Sequence, residues 1–293
     1  MIDLKVTKVG IRGFVFSFDD PYLFNIYVIV GKKHIFFCDT GLGSDNIIEI
    51  LKYLKDQGIN SKPFVVFNSH ADYDHVWGNH MFRDSIIVAH ELSPGIFDKE
   101  GEEILKNYSS HKRGDVVLTK PNKLFKDKYI FEDEGIEFYH SPGHTLESSS
   151  CYDSLNKILF VGDNIESPFP YVNFLNLEDY KASLTEYLIR EVEIVVSGHD
   201  EVMYDTKLIE SNLDYLNQLS QGKVDRSGFT KKHRGIHFHN LTRLGEMMKN
   251  SGNSDKARVY YEEALEILSE IDKTSEIEAK ITEIQFILSE LSE

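Results

Sequence analysis

Short apolar runs separated by turn signals fill the first two thirds of the chain. Phe24–Val30 (FNIYVIV) and His34–Cys38 (HIFFC), joined by Gly31-Lys-Lys, predict a hairpin. Asp39-Thr-Gly-Leu-Gly then leads into Asn46–Asp56, where apolar residues recur at helical spacing. Phe64–Phe67 (FVVF) reads as a buried strand, and Ile86–Val88, Ile136–Tyr139, Ile158–Val161 and Ile194–Val196 follow the same style. Leu177–Arg190 is expected as a helix between two of these strands. Residues 205–219, with Leu208, Leu213, Leu216 and Leu219 as apolar positions, are expected as another. Strands interleaved with helices point to an α/β sandwich.

The pattern changes near residue 221. Gln-Gly-Lys and then Arg226-Ser-Gly-Phe-Thr-Lys-Lys-His-Arg-Gly235 read as a basic, Gly-punctuated connector, and from His239 onward only amphipathic helices fit. A boundary falls at about residue 235, giving a main domain over 1–230 and a small all-α module over 238–293. Leu241-x2-Leu244-Gly245-x2-Met248 followed by Ala257-x3-Tyr261-x2-Ala264 resembles the 34-residue tetratricopeptide pattern, with Leu241, Met248 and Ser269 where that pattern has Trp, Tyr and Pro. Ile277–Leu291 adds a further amphipathic helix. One such repeat does not bury its own face, so the module is expected to dock on the main domain or to join two copies in a homodimer; recruitment of another protein is the lesser reading.

Composition narrows the class. Of 293 residues 41% are hydrophobic, including 15 Tyr and 19 Phe, enough for a sizeable core. A net charge of −16 argues against a nucleic-acid partner, which needs clustered Lys and Arg. Cys38 and Cys151 form no CxxC pair and sit in apolar runs, so both are expected as small buried hydrophobes in a reducing compartment. The N-terminal stretch lacks a basic segment followed by an apolar one, and no run approaches 18 apolar residues; the expectation is a cytoplasmic chain with no membrane partner.

Four strands each end in a potential metal ligand. FVVFNS leads to His70-Ala-Asp72-Tyr-Asp74-His75, IEFYHSPG to His144, ILFVG to Asp163 and IVVSG to His199. Residues just past strand ends are held by the sheet yet face outward. Ser69, Gly143, Gly162 and Gly198 precede four of the ligands and allow sharp turns and close approach. His and Asp supply nitrogen and oxygen donors suited to Zn, Fe or Mn. Four donors within six residues cannot all reach one ion, so two divalent ions are expected. A pair roughly 3.5–4 Å apart can share a hydroxide, with a carboxylate such as Asp163 between them.

These motifs resemble the HxHxDH…H…D…H pattern of the metallo-β-lactamase superfamily, and Asp39-Thr-Gly matches that family's usual first turn. The resemblance covers roughly residues 5–215 and implies a four-layer αββα sandwich with the metals at one edge of its sheets. It also implies a first metal on His70, Asp72 and His144, a second on Asp74, His75 and His199, and Asp163 bridging them. One residue departs: Asp72 stands where the motif has its second histidine. Flavodiiron proteins, a branch of the same superfamily, carry a carboxylate there and use two irons. An added oxygen donor favours iron or manganese relative to zinc, and an added negative charge should acidify bound water less.

The expected activity is therefore hydrolysis of a small-molecule ester, thioester, lactone or phosphoester by a hydroxide activated between two metals, with Asp74 orienting it. A di-iron oxidoreductase is the alternative, although no flavodoxin-like domain follows to supply electrons; a metal-binding adaptor using the helical tail is a third reading. β-Lactam cleavage is disfavoured by Asp72. Tyr73, Asn164 and Tyr171 are weak candidates for contacting substrate, and Ser167–Phe174 is a candidate pocket wall or an ordinary surface loop. His80 and His90 are expected as surface histidines, His140 as a packing or hydrogen-bonding residue. His233, His237 and His239, without a cysteine or carboxylate among them, are expected not to form a metal tract, and Asp98–Glu103 is expected as a solvated face.

Overall fold

The structure, a computed structural model, describes residues 4–59, 62–270 and 274–291. The first three residues of the N-terminal reading and residues 271–273 and 292–293 of the expected module lie outside the described residues. β1 (Leu4–Val9), β2 (Gly13–Asp19), β3 (Leu23–Val30) and β4 (Ile35–Cys38) pair antiparallel; β5 (Phe64–Phe67), β6 (Ile86–His90) and β7 (Lys123–Phe125) extend that sheet in parallel. A second sheet comprises β8 (Lys128–Phe131), β9 (Ile136–His140), β10 (Ser149–Asp153), β11 (Ile158–Phe160) and β12 (Ile194–Val196), with β11 and β12 parallel. The hairpin expected at Gly31-Lys-Lys is β3–β4.

Strand periodicity of two explains the layering. In β3, β4 and β5, Ile26, Val28, Ile35, Phe37 and Val66 face α1 (Ser44–Asp56) and, after the one-turn helix α2 (Tyr73–Val76), α3 (Ser93–Asn107). The alternate residues Tyr27, Ile29, Phe36, Cys38, Val65 and Phe67 face the second sheet, meeting Phe138, Cys151, Phe160 and Val196. The outer face of the second sheet, through Tyr139, Leu159, Val161 and Val195, packs on α4 (Leu177–Ile189) and α5 (Lys207–Ser220). Three apolar layers between four layers of backbone give the αββα sandwich. Strands covered on both faces read as unbroken apolar runs, which is why FVVF and IVV carry no alternation. Cys38 and Cys151 are free and buried between the sheets, as expected.

Three helices complete the chain: α6 (Lys231–Asn250), α7 (Ser254–Ser269) and α8 (Ser275–Glu290). The last five residues of the expected connector, Lys231–Gly235, are helical, because Thr230 is an N-cap whose hydroxyl accepts from the His233 N–H and whose own N–H donates to the His233 ring. Gly245 lies against the Tyr261 ring, so α6 and α7 approach closely. Leu241, Leu244, Ala257 and Tyr261 join one apolar cluster with Tyr215 and Leu216 of α5, so these helices dock on the sandwich. Among the described residues no helix is long and apolar enough to cross a membrane.

Two ties fix one sheet on the other. Arg12 donates to both Asp153 oxygens, at 3.1 and 2.7 Å. Glu134, on the turn between β8 and β9, accepts the backbone N–H groups of Lys32, Lys33 and His34 at 2.6, 2.7 and 3.1 Å and so caps the β3–β4 turn. Burial would raise the Glu134 pKa, but these donors hold it below the ordinary carboxylate value. Glu134→Gln is expected to cost about 1.5–3 kcal/mol, the range for hydrogen bonds to a charged group. A depressed carboxylate stabilises the fold above its unfolded pKa and stops doing so as pH falls through its folded value. The gap in melting temperature between wild type and Glu134→Gln should therefore be full near pH 7 and shrink below about pH 4.5; a gap independent of pH would contradict this assignment.

Candidate metal centre

All seven predicted ligands come together at one edge of the sandwich. His70 follows β5, Asp74 and His75 lie on α2, His144 follows β9, Asp163 follows β11 and His199 follows β12. The Asp163 Oδ2 atom lies 3.7 Å from His70 Nε2, 3.3 Å from His75 Nε2 and 3.1 Å from His199 Nε2. Asp72 Oδ2 is 3.5 Å from His70 Nε2 and 3.2 Å from His144 Nε2; Asp74 is 3.8 Å from His75 Nε2 and 3.4 Å from His199 Nε2. Two compact groups result, His70–His144–Asp163 and Asp74–His75–His199, each with donor atoms within 4.8 Å of one another. Asp72 flanks the first group with 40% of its side chain exposed. A Cβ at Gly198 would collide with Asp163 Oδ1, so the residue before His199 has to be glycine for the loops to meet.

The four imidazoles share one hydrogen-bonding arrangement. Each Nδ1 meets an oxygen outside the centre: Ser69 Oγ for His70 (3.0 Å), Asp39 Oδ2 for His75 (2.7 Å), the Tyr171 carbonyl for His144 (3.2 Å) and the Leu23 carbonyl for His199 (2.7 Å). Each Nε2 therefore faces inward. Buried and without hydrogen-bond partners among the described residues are His70 Nε2, His75 Nε2 and Asp163 Oδ1. Orphaned buried polar atoms are rare and costly; here they converge with carboxylates, and a divalent cation would satisfy them. The donor set fits zinc, iron or manganese.

Asp39 anchors this arrangement. Its backbone sits at φ 66, outside the ordinary range for a non-glycine residue, which turns its carboxylate under the centre. Oδ1 accepts from the Ser69 N–H and Oδ2 from the Ser69 hydroxyl and the His75 ring, all at 2.7 Å. One buried carboxylate thus orients His70, through Ser69, and His75 directly. The sequence shows Asp39 only as part of a turn; its partners lie some 30 residues away.

Charge is concentrated here. Burial disfavours a charged His75, yet Asp163, Asp39 and Asp74 push its pKa well above the usual value. Against the same burial, Asp72 and Asp163 raise His144 to about 9, and Asp163 with Asp74 raises His199 to about 10. Burial likewise works to raise Asp163, but His199 and His75 hold it well below the carboxylate range.

The centre opens into a cavity of about 470 Å³. Tyr73 lines it, as do Ser167 and Tyr171 of the expected wall segment and Glu166 just before that segment, while Lys232 and Ile236 enter from α6. Asn164 does not line it. It is fully buried, accepts the His144 N–H at 2.9 Å and donates to the Ser141 carbonyl at 2.6 Å, so it shapes the His144 loop and is not a substrate contact. Tyr22, unremarked in the sequence, donates to Asp74 Oδ2 at 3.0 Å and lies 2.7 Å from the Tyr73 hydroxyl. His90 is buried and stacks on His140 at 4.0 Å, correcting its surface reading; His140 donates to the Leu146 carbonyl at 2.8 Å. His80 bonds the Trp77 carbonyl through its ring, and His233, His237 and His239 point to separate partners around α6. A larger cavity of about 600 Å³ between α6, α7 and α8 includes none of the seven ligands.

Asp39→Asn puts an amide where three donors now meet a carboxylate. Loss of such an outer partner typically weakens metal binding 10–100-fold. Competition between the protein and a chromogenic chelator for Zn2+ should show a loss of that size in a folded variant; unchanged affinity would contradict the anchoring role.

Comparison with known proteins agrees with this geometry. Residues 20–199 match the metallo-beta-lactamase superfamily. The chain is 26% identical over 143 residues to a hydroxyacylglutathione hydrolase of Pelagibacter ubique, covering 48% of this chain and 51% of that one. It is 27% identical over 169 residues to a probable metallo-hydrolase of Methanocaldococcus jannaschii, covering 55% and 68%. The chain thus spans about half the length of the first of these relatives. Among solved structures, a metallo-beta-lactamase from Pontibacter korlensis superposes with a TM-score of 0.58 at 19% identity, over 73% of this chain and 99% of that one. FIM-1 from Pseudomonas aeruginosa does so with 0.59 at 14% identity, over 75% and 97%. The family match runs from the loop before β3 to His199 and takes in all seven converging side chains, and this chain belongs to the metallo-beta-lactamase superfamily.

Proposed function

We propose that the chain is a hydrolase that holds two divalent cations, one on His70, Asp72 and His144 and the other on Asp74, His75 and His199, with Asp163 between them. The observation that carries this reading is the convergence of four inward Nε2 atoms and three carboxylates, with three of those atoms buried and otherwise unpartnered. Cations bound there would supply a nucleophilic hydroxide near neutral pH and polarise the bond to be cleaved. The names of the two relatives, a hydroxyacylglutathione hydrolase and a probable metallo-hydrolase, support hydrolysis; because an acylated glutathione is a thioester, thioesters and other esters are to be tried before lactones and phosphoesters.

The remaining duties belong to side chains. Tyr22 holds Asp74 Oδ2 by its hydroxyl and so fixes which carboxylate oxygen faces the nucleophile. Glu166 lines the cavity, and in the cation-free chain burial beside the Asp163 carboxylate pushes its pKa up to about 8. A second reading rests on Asp72. An oxygen donor at that position favours iron or manganese over zinc, and with two irons the site would suit a redox reaction fed by a separate electron donor.

A panel of thioesters, carboxylic esters, lactones and phosphodiesters separates the readings. The expected result is turnover of an acyl substrate that a chelator abolishes, that added Zn2+ or Mn2+ restores and that falls to the buffer rate in Asp163→Ala. Metal-replete protein that turns over none of these but consumes oxygen when reduced would overturn the hydrolase reading.

A further inference from the structure

The segment after Asp163 is gripped at two points by asparagines from helices outside the sheets. Asn212 of α5 accepts the Glu166 N–H at 2.9 Å and donates to the Glu166 carbonyl at 3.0 Å. Asn240 of α6 accepts the Val172 N–H at 2.9 Å, and its amide donates to the Pro170 carbonyl at 2.9 Å and to the Tyr215 hydroxyl at 3.1 Å. Both asparagines have no exposed surface. Each meets a backbone N–H and a backbone C=O at once, as a neighbouring strand would, in a segment outside the strands whose own backbone groups would otherwise lack partners.

Between the two Asn240 contacts lies Tyr171, whose carbonyl accepts from His144 Nδ1 at 3.2 Å. The next residue but one, Asn173, donates its N–H to the His144 carbonyl at 3.0 Å. His144 is thus held on both its ring and its backbone by the short stretch that Asn240 fixes. We propose that Asn240, in the C-terminal helices, is a positioning residue for the metal centre: it sets the Pro170–Val172 backbone, which sets the tautomer and angle of the His144 ring. The helical module is then part of the site's construction, with Lys232 and Ile236 of the same helix on the cavity wall. This inference rests on the metal-centre reading and is independent of which bond the site cleaves.

The test uses the full chain and two readouts, Zn2+ affinity by chelator competition and hydrogen exchange at individual amides. Asn240→Ala is expected to weaken Zn2+ binding about 10-fold, the lower end for loss of an outer partner, and to speed exchange at Val172 and Asn173. Leu244→Ala, which removes a fully buried apolar side chain from the same helix but no hydrogen bond to the segment, is the control. It should lower the melting temperature and leave both readouts near wild type. Asn240→Asp keeps the acceptor for Val172 and loses the donor to Pro170, so it should fall between wild type and the alanine variant, and it serves if alanine does not fold. Wild-type affinity and exchange in the Asn240 variants would overturn the proposal, as would equal losses in Leu244→Ala. A chain that binds Zn2+ but hydrolyses nothing leaves it standing, whereas exchange at Val172 and Asn173 that ignores Asn240 overturns it whatever the chain hydrolyses.

Discussion

Every imidazole at this centre has its Nδ1 committed to an oxygen outside it, and the rest of the structure follows from keeping those four oxygens in place. A histidine whose Nδ1–H is engaged presents Nε2 as its only free donor to a metal. The four oxygens come from four different parts of the chain: the Leu23 backbone at the start of β3, Asp39 after β4, Ser69 after β5 and the Tyr171 backbone in the segment that follows β11. The fold must therefore hold segments about 150 residues apart to within tenths of an ångström.

The three apolar layers do this. Rings of Phe36, Phe67, Phe138 and Phe160 lock the sheets face to face, and Phe67 and Phe138 stack at 4.4 Å. Parallel pairing of β4 with β5 and of β11 with β12 brings the C-terminal ends of each pair together. Asp39 and His70 leave one sheet, and Asp163 and His199 leave the other, at the same edge. Buried like charges repel strongly and persist only when paired; Asp163 with His199 and His75, and Asp72 with His144, are arranged to meet that condition.

The strand ends and the side chains that converge past them were legible in the sequence because they are local signals. A β-branched or aromatic run followed by a small residue and a His or Asp can be read within about ten positions. The hairpin at Gly31-Lys-Lys, the strand Phe64–Phe67 and the seven converging side chains fall in this class. Long-range partners were not legible. Asp39 looks like any turn aspartate until Ser69 and His75 are placed beside it, and Asn212 and Asn240 look like ordinary polar positions on amphipathic helices. Asn164 misled for the same reason: adjacency to Asp163 in sequence made it a substrate candidate, whereas its amide is directed at the His144 loop. The helix beginning at Lys231 turns His233, His237 and His239 to Phe169, Tyr215 and Tyr171 respectively.

The central claim is that these side chains form one two-cation centre joined by Asp163. Protein purified without added metal, with Fe, Mn and Zn quantified per chain by mass spectrometry, tests it most directly. About two ions are expected per wild-type chain and fewer than one in folded Asp163→Ala. A well-folded wild-type chain without metal, or one whose metal content is indifferent to Asp163, would contradict it.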